Sequence, residues 1–394
     1  AVNGVSGVVS ATKTDGTLIL SSRNVVISKK QPSAEKMQLD TLSGRVDWKI
    51  ARDGETTRLK LNNIAFTGEA GSGILQGKYV LSDNASGSVD LTGRLSQADI
   101  PLLSHYATWL TGTDALDEIN KTVVSGRLRN AEFHIRGTLN NQPGGKDGLS
   151  IRAETAIDNV SIGIADGWPK ISNMAGRASI QDGALDMSLV SADVSGIKLQ
   201  EFTLQSDDLY AKQPEIRIKG KAEGESNAIA ALLRKAALNQ HFGELLNQAE
   251  FSGKGRLQAE ALISVAREKF SVDKIQGRYQ FIDNRINLDR YVPDFYQVNG
   301  SLIFTETSVA LEGMRAWILG GPVRIASAPA PEGGVHITAT GRADFDRFRR
   351  DESANKPVNL SHLWTQFAQG GSDWRFNIAI VRDQARVVIL FFLS

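Results

Sequence analysis

Apolar and polar residues alternate along much of this 394-residue chain. Arg58-Leu59-Lys60-Leu61 and Leu185-Asp186-Met187-Ser188-Leu189 show the pattern. It is strictest in Glu215-Ile216-Arg217-Ile218-Lys219, and it returns around Val335 and Ile337 and again from Trp374 to Ile380. A period of two places successive side chains on opposite faces of a strand. Each segment therefore offers one apolar face and one wet face, and the apolar faces of many strands have to find cover.

Glycine punctuates these runs. A glycine followed by a cation or small residue and then an apolar one recurs, as in Gly44-Arg45-Val46, Gly93-Arg94-Leu95, Gly176-Arg177-Ala178, Gly277-Arg278-Tyr279 and Gly341-Arg342-Ala343. Because glycine tolerates positive φ, these units are expected to be turns or bulges. Their irregular spacing argues against a strict solenoid and for a loosely repeated set of hairpins in one extending sheet. Two stretches break toward helix. Around residues 99–121, Pro101 stands near a helix start and Thr113 is a second N-cap candidate. Around residues 226–247, Ser226 suits an N-cap, and Ile229, Leu232, Leu233 and Ala236 fall on one side of a helix. Residues 141–148 read as a loop and 351–357 as a polar connector.

Composition removes several function classes. The 45 Lys and Arg nearly balance the 44 Asp and Glu, and no basic cluster stands out, so no nucleic-acid partner is expected. Cysteine is absent, which excludes thiolate metal sites, Cys nucleophiles and disulfides. The longest apolar run, Val387 to Leu393, is far shorter than the roughly 20 residues of a membrane helix. The chain opens without a signal-peptide pattern and stops in a strand-like run, so a piece of a longer protein is expected. His105, His134, His241, His336 and His362 are scattered without zinc-ligand spacing. His241 and Glu244, one helical turn apart, read as a polar pair on a solvated helix face rather than as metal ligands. Asp207 and Asp208 read as turn residues, and the mixed charges of Arg342–Glu352 read as a solvated, internally paired face. No enzyme, metal or cofactor is expected.

Several motifs in order carry a family resemblance. Tyr106-Ala107-Thr108-Trp109-Leu110 is followed by Ser125-Gly126-Arg127-Leu128, the loop at Pro143 and a strand-like run to Ile164. Gly167-Trp168-Pro169-Lys170-Ile171, Met174-Ala175-Gly176-Arg177-Ala178 and the segment Leu185 to Gly196 come next. Downstream stand Val292-Pro293-Asp294-Phe295-Tyr296-Gln297-Val298-Asn299-Gly300, then Leu319-Gly320-Gly321-Pro322. The succession resembles the AsmA-like envelope proteins of Gram-negative bacteria, and within them the YhdP group, over nearly the whole chain. Trp168 and Pro169 themselves read as a core-closing indole at a stiffened turn.

The resemblance implies a periplasmic segment of an inner-membrane-anchored protein that moves phospholipid between inner and outer membranes. It implies a mainly β fold: a long, highly twisted antiparallel sheet curled into an elongated open groove, with a few short helices, running as one continuous segment over residues 1–394. The expected partners are phospholipid acyl chains, the membrane through parts of the protein outside this chain, and other envelope proteins. Physical chemistry gives such a groove a purpose. Carrying a phospholipid through water exposes about thirty methylenes at roughly 0.8 kcal/mol each, a barrier above about 20 kcal/mol that an apolar trough removes. The candidate lipid-facing residues are the apolar alternates Leu185, Met187, Leu189, Ile216, Ile218, Val335, Ile337, Phe376, Ile378 and Ile380. Two rival readings carry other expectations. A structural scaffold in outer-membrane assembly needs a dry core and strand edges that pair with other chains. A β-helical carbohydrate-active enzyme needs two carboxylates meeting in a cleft.

Overall fold

The structure is a computed structural model that describes residues 2–28, 36–51, 54–82, 87–111, 121–138, 148–163, 169–235, 249–266, 269–288, 293–329, 335–352, 369–381 and 384–392. The first strands are β1 (Val2–Asn3), β2 (Gly7–Ala11), β3 (Asp15–Ser28), β4 (Lys36–Ile50), β5 (Thr56–Gly68), β6 (Gly71–Ser82) and β7 (Ser88–Asp99), and helix α1 (Ile100–Thr111) follows them. Next come β8 (Val123–Thr138), β9 (Ser150–Ile162), β10 (Ile171–Gln181), β11 (Ala184–Val194), β12 (Ile197–Ser206) and β13 (Glu215–Glu225), then α2 (Ser226–Lys235). Strands β14 (Glu250–Ala266), β15 (Lys269–Asn287), β16 (Phe295–Thr305), β17 (Val309–Ile318), β18 (Gly321–Pro329) and β19 (Val335–Asp344) lead to α3 (Phe345–Glu352). The last two are β20 (Gly371–Val381) and β21 (Gln384–Phe392).

The 21 strands among the described residues belong to one antiparallel sheet that is not closed into a barrel. The mainly β reading of the sequence holds, with three short helices among the described residues. β1 and β2 act as one broken strand, since β1 pairs with the end of β3 (Val2 opposite Ile27) and β2 with its beginning (Gly7 opposite Leu20). Counted so, a helix follows every sixth strand through β19. Each helix leaves a strand carrying Gly93-Arg94-Leu95, Gly220-Lys221-Ala222 or Gly341-Arg342-Ala343. The repeat is therefore more regular than the glycine spacing suggests. The chain forms two compact units: Ala1–Asp193 with Phe202–Ile216 and Val265–Lys269, and Val194–Glu201 with Arg217–Ser264 and Phe270–Ser394.

A recurring device interrupts the alternation. Asn24, Asn63, Asn130, Asn159, Asn173, Glu201, Asp283 and Gln297 each sit inside a strand with φ between 48° and 54°. L-residues resist this left-handed region, and Asn and Asp tolerate it best. The register shifts next to several of them, as between Leu61 and Ile64, Arg129 and Glu132, and Phe281 and Asn284. They are β-bulges, which bend a strand and increase its twist. Each makes the buried face skip one residue. Ile157 and Val160 are thus both buried, although Asp158 and Asn159 stand between them.

The glycine units divide into two kinds. Gly44, Gly77, Gly126 and Gly300 do have positive φ, from 135° to 151°. Gly93, Gly277 and Gly341 are neither turns nor bulges. They lie in mid-strand directly opposite Phe133, Phe304 and Trp374. A Cβ would come within 2.6 Å of Phe304 Cζ at Gly277 and 3.0 Å of Trp374 Cζ2 at Gly341. The glycine makes room for a ring that lies across the neighbouring strand.

The helices close apolar surface at strand ends. In the first unit, Leu95, Ala98 and Ala131 form a buried cluster against which Phe66, Leu103, Leu128 and Phe133 pack. The Asp99 carboxylate accepts the Leu102 N–H at 3.0 Å and so caps α1, with Pro101 in the first turn, where no donor is lost. In the second unit, Ile229, Ala230 and Leu233 of α2 are buried, and the Tyr279 hydroxyl donates to Ser226 Oγ at 2.6 Å. Residues 112–120 and 236–248, the later parts of both expected helical stretches, lie outside the described residues. Helix α3 falls where the sequence reads as a charged face. Asp344 caps it by accepting the Arg347 N–H at 2.9 Å, and Phe348 is its buried anchor.

Candidate functional site

A long apolar array lies in the first unit. Leu18, Val46, Leu61, Gly77, Leu91, Ile135 and Ile151 stand directly opposite one another across seven strands, β3 to β9. At about 4.8 Å per strand this row extends about 29 Å. A parallel row runs through Gly16, Trp48, Leu59, Tyr79, Val89 and Gly137 on the same face. Neither row holds a carboxylate, an amine or an imidazole. Every member of the first row is half-buried, and so is every member of the second except Val89, which is buried. Nearer α1 the same face is dry, with Leu95, Ala98, Ala131, Ile157 and Val160 all buried. The face thus grades from closed at the helix end to half open beyond the bulges.

The residues singled out from the sequence fall in several places. On β11, Leu185 and Met187 are half-buried and Leu189 is buried, while Asp186 and Ser188 are exposed. Val190 is 75% exposed, and the alternation slips by one residue before resuming at buried Ala192 and Val194. On β13, Ile216 and Ile218 are half-buried between exposed Glu215, Arg217 and Lys219. On β19, Val335 is buried and Ile337 half-buried; their backbone partners on β20 are Ile380 and Ile378. Phe376 is half-buried opposite Ala339. The side chains of Ile378 and Ile380 lie outside the described residues, as does Trp168. The structure therefore brings Val335, Ile337 and Phe376 onto adjacent strands of the second unit, whereas Leu185, Met187 and Leu189 belong to the first. Sequence reasoning misses Leu18, Val46, Leu91, Ile135 and Ile151. Each stands in an alternating run, but only register shows that they form one row.

In each unit the opposite face is mostly polar. Ion pairs join strands at Arg94–Glu132, Arg129–Asp158, Lys221–Glu201, Arg256–Glu223 and Arg342–Asp373, and Arg278 on β15 reaches across β16 to Glu312 on β17. The Thr17 hydroxyl, followed by Arg45, holds the Asp47 carboxyl below the usual carboxylate range. His134 does the same for Asp90, and the Ser264 and Ser271 hydroxyls do so for Asp273. Burial pushes the Tyr279 hydroxyl up. Asp208 accepts the Tyr210 N–H at 2.8 Å, which is turn chemistry. In the mixed-charge stretch, Arg349 pairs with Asp346 and Arg342 with Asp373. His241, Glu244 and His362 lie outside the described residues. Among the described residues no three potential metal ligands gather, and no helix is long and apolar enough to cross a membrane. What the half-open rows offer is a surface for alkyl groups.

A family model described as YhdP protein matches residues 1–390. No curated protein and no solved structure matches the chain.

Proposed function

This chain belongs to the YhdP family of AsmA-like envelope proteins, and from that membership we propose that its apolar sheet face carries phospholipid acyl chains between the inner and outer membranes. The observation that supports this most is the seven-strand row from Leu18 to Ile151, continuous in register and half open along its whole length. A sheet face used only as core is driven to full burial, because each exposed Å² of apolar surface forgoes about 25 cal/mol. A face that carries lipid has to remain accessible. The segment would work in the periplasm, with membrane attachment through other parts of the protein.

Transport along such a face needs no bond chemistry. Successive apolar rows are similar in energy, so an acyl chain can move from one to the next while its headgroup stays wet. Headgroup selectivity should accordingly be low.

Native mass spectrometry of the purified chain, with extraction of what co-purifies, tests the proposal. Wild-type protein is expected to carry phospholipid, and a folded Leu61→Asp/Leu91→Asp variant is expected to carry less. A folded wild-type chain that carries none and takes none from liposomes would move the assignment to a structural scaffold.

A further inference from the structure

The polar face of the first unit has a region where like charges meet. Lys49 on β4 stands directly opposite Arg58 on β5, and Lys60 on β5 directly opposite Lys78 on β6. Like charges in directly opposed positions destabilise a sheet. Farther along the same face, Arg94–Glu132 and Arg129–Asp158 join neighbouring strands with opposite signs. Glu132 also faces Glu154, but Arg94 neutralises Glu132.

The acids near the four cations hold other partners more closely, although Lys78 adds to the charge that lowers the Asp90 carboxyl after the His134 hydrogen bond. Asp47, opposite Lys60, accepts hydrogen bonds from Thr17, Arg45 and Asn62. Asp90, opposite Lys78, is bonded to His134 at 2.9 Å. Asp15 accepts from the Thr14 hydroxyl and approaches Lys49 only to 3.8 Å. Among the described residues Arg58, Lys60 and Lys78 have no ion-pair partner. All three are exposed. With Lys49 they line a depression of about 670 Å³, bounded on the β2 side by Ser10, Ala11 and Thr12. Asp15 and Asp47 are the acids in its lining, so cations outnumber them two to one.

We propose that this depression is a binding site for a phosphate group. Guanidinium and ammonium donors on neighbouring strands suit a compact, multiply charged oxyanion, which relieves their mutual repulsion as it binds. Gly16, Trp48 and Leu59 of the second apolar row also border the depression, but its cations all stand on the polar face, so substituting them tests the site separately from lipid carriage.

Calorimetric titration of the 394-residue chain with pyrophosphate at low salt tests the site. The wild type is expected to bind, and Arg58→Ala/Lys60→Ala/Lys78→Ala to bind at least about tenfold more weakly, with its thermal transition retained. Arg94→Ala/Arg129→Ala, which removes paired cations on the same face, is expected to bind like the wild type. Flotation with phosphatidate vesicles, compared with phosphatidylcholine vesicles, separates the two sources of phosphate. Co-flotation that requires the three cations assigns the site to lipid headgroups, and pyrophosphate binding without co-flotation assigns it to soluble phosphates. Absence of pyrophosphate binding, equal binding by the triple variant, or an equal loss in the Arg94/Arg129 variant would overturn the proposal.

Discussion

The Phe133 ring occupies the space over Gly93, where any Cβ would meet it, so Gly93→Val forces ring and strand apart. Overpacking of this kind costs about 1–3 kcal/mol, and urea unfolding should record it. Gly163, with nothing within 4 Å of a built Cβ, is the matched control, and Gly163→Ala should leave the urea midpoint nearly unchanged. At the bulges the demand concerns backbone conformation. Asn159→Ala at φ 51° is predicted to destabilise by about 1 kcal/mol, whereas Asn159→Gly should be close to neutral. The sequence carries a signal for these bulges that alternation alone overlooks: an apolar residue, two polar ones ending in Asn, then another apolar residue. Leu61-Asn62-Asn63-Ile64, Leu128-Arg129-Asn130-Ala131, Ile157-Asp158-Asn159-Val160 and Ile171-Ser172-Asn173-Met174 all show it. The glycine units are visible as positions, but their partners across the strand are not, because pairing is a tertiary fact.

Among the elements, strands are legible because period two is a local property. Helices are legible in proportion to their apolar stripe. Ser226 to Leu233 has one, and α2 forms there. Phe345 and Phe348 are the only apolar residues in α3, so charge obscures that helix. Ile229, 1% exposed, anchors α2, and Ile229→Ala should lower the stability of its unit by about 2–5 kcal/mol in urea unfolding. Tyr279→Phe, which removes the hydroxyl bonded to Ser226, should cost about 1 kcal/mol by the same measurement. The helix after every sixth strand is hidden in the sequence because the glycine units occur within many strands, and among the described residues only three of them lead into a helix.

For the molecule as a whole, fold class and family are both accessible from the sequence, the first through alternation and the second through the order of weak motifs. The apolar row is not. Alternation says that each strand has an apolar face, but the bulges change which residues occupy it, and register decides which of them align. Leu61 on β5 and Ile135 on β8 are far apart in the chain, yet they stand in one row through Gly77 and Leu91. If this face meets lipid, a photo-crosslinking amino acid placed along the row will capture it. Benzoylphenylalanine at Leu61, Leu91 or Ile135 is predicted to yield phospholipid adducts on irradiation in cells, while the same group at Thr92 or Arg136, on the polar face, yields none. Adducts from both faces alike, or from neither, would contradict a lipid-carrying apolar face.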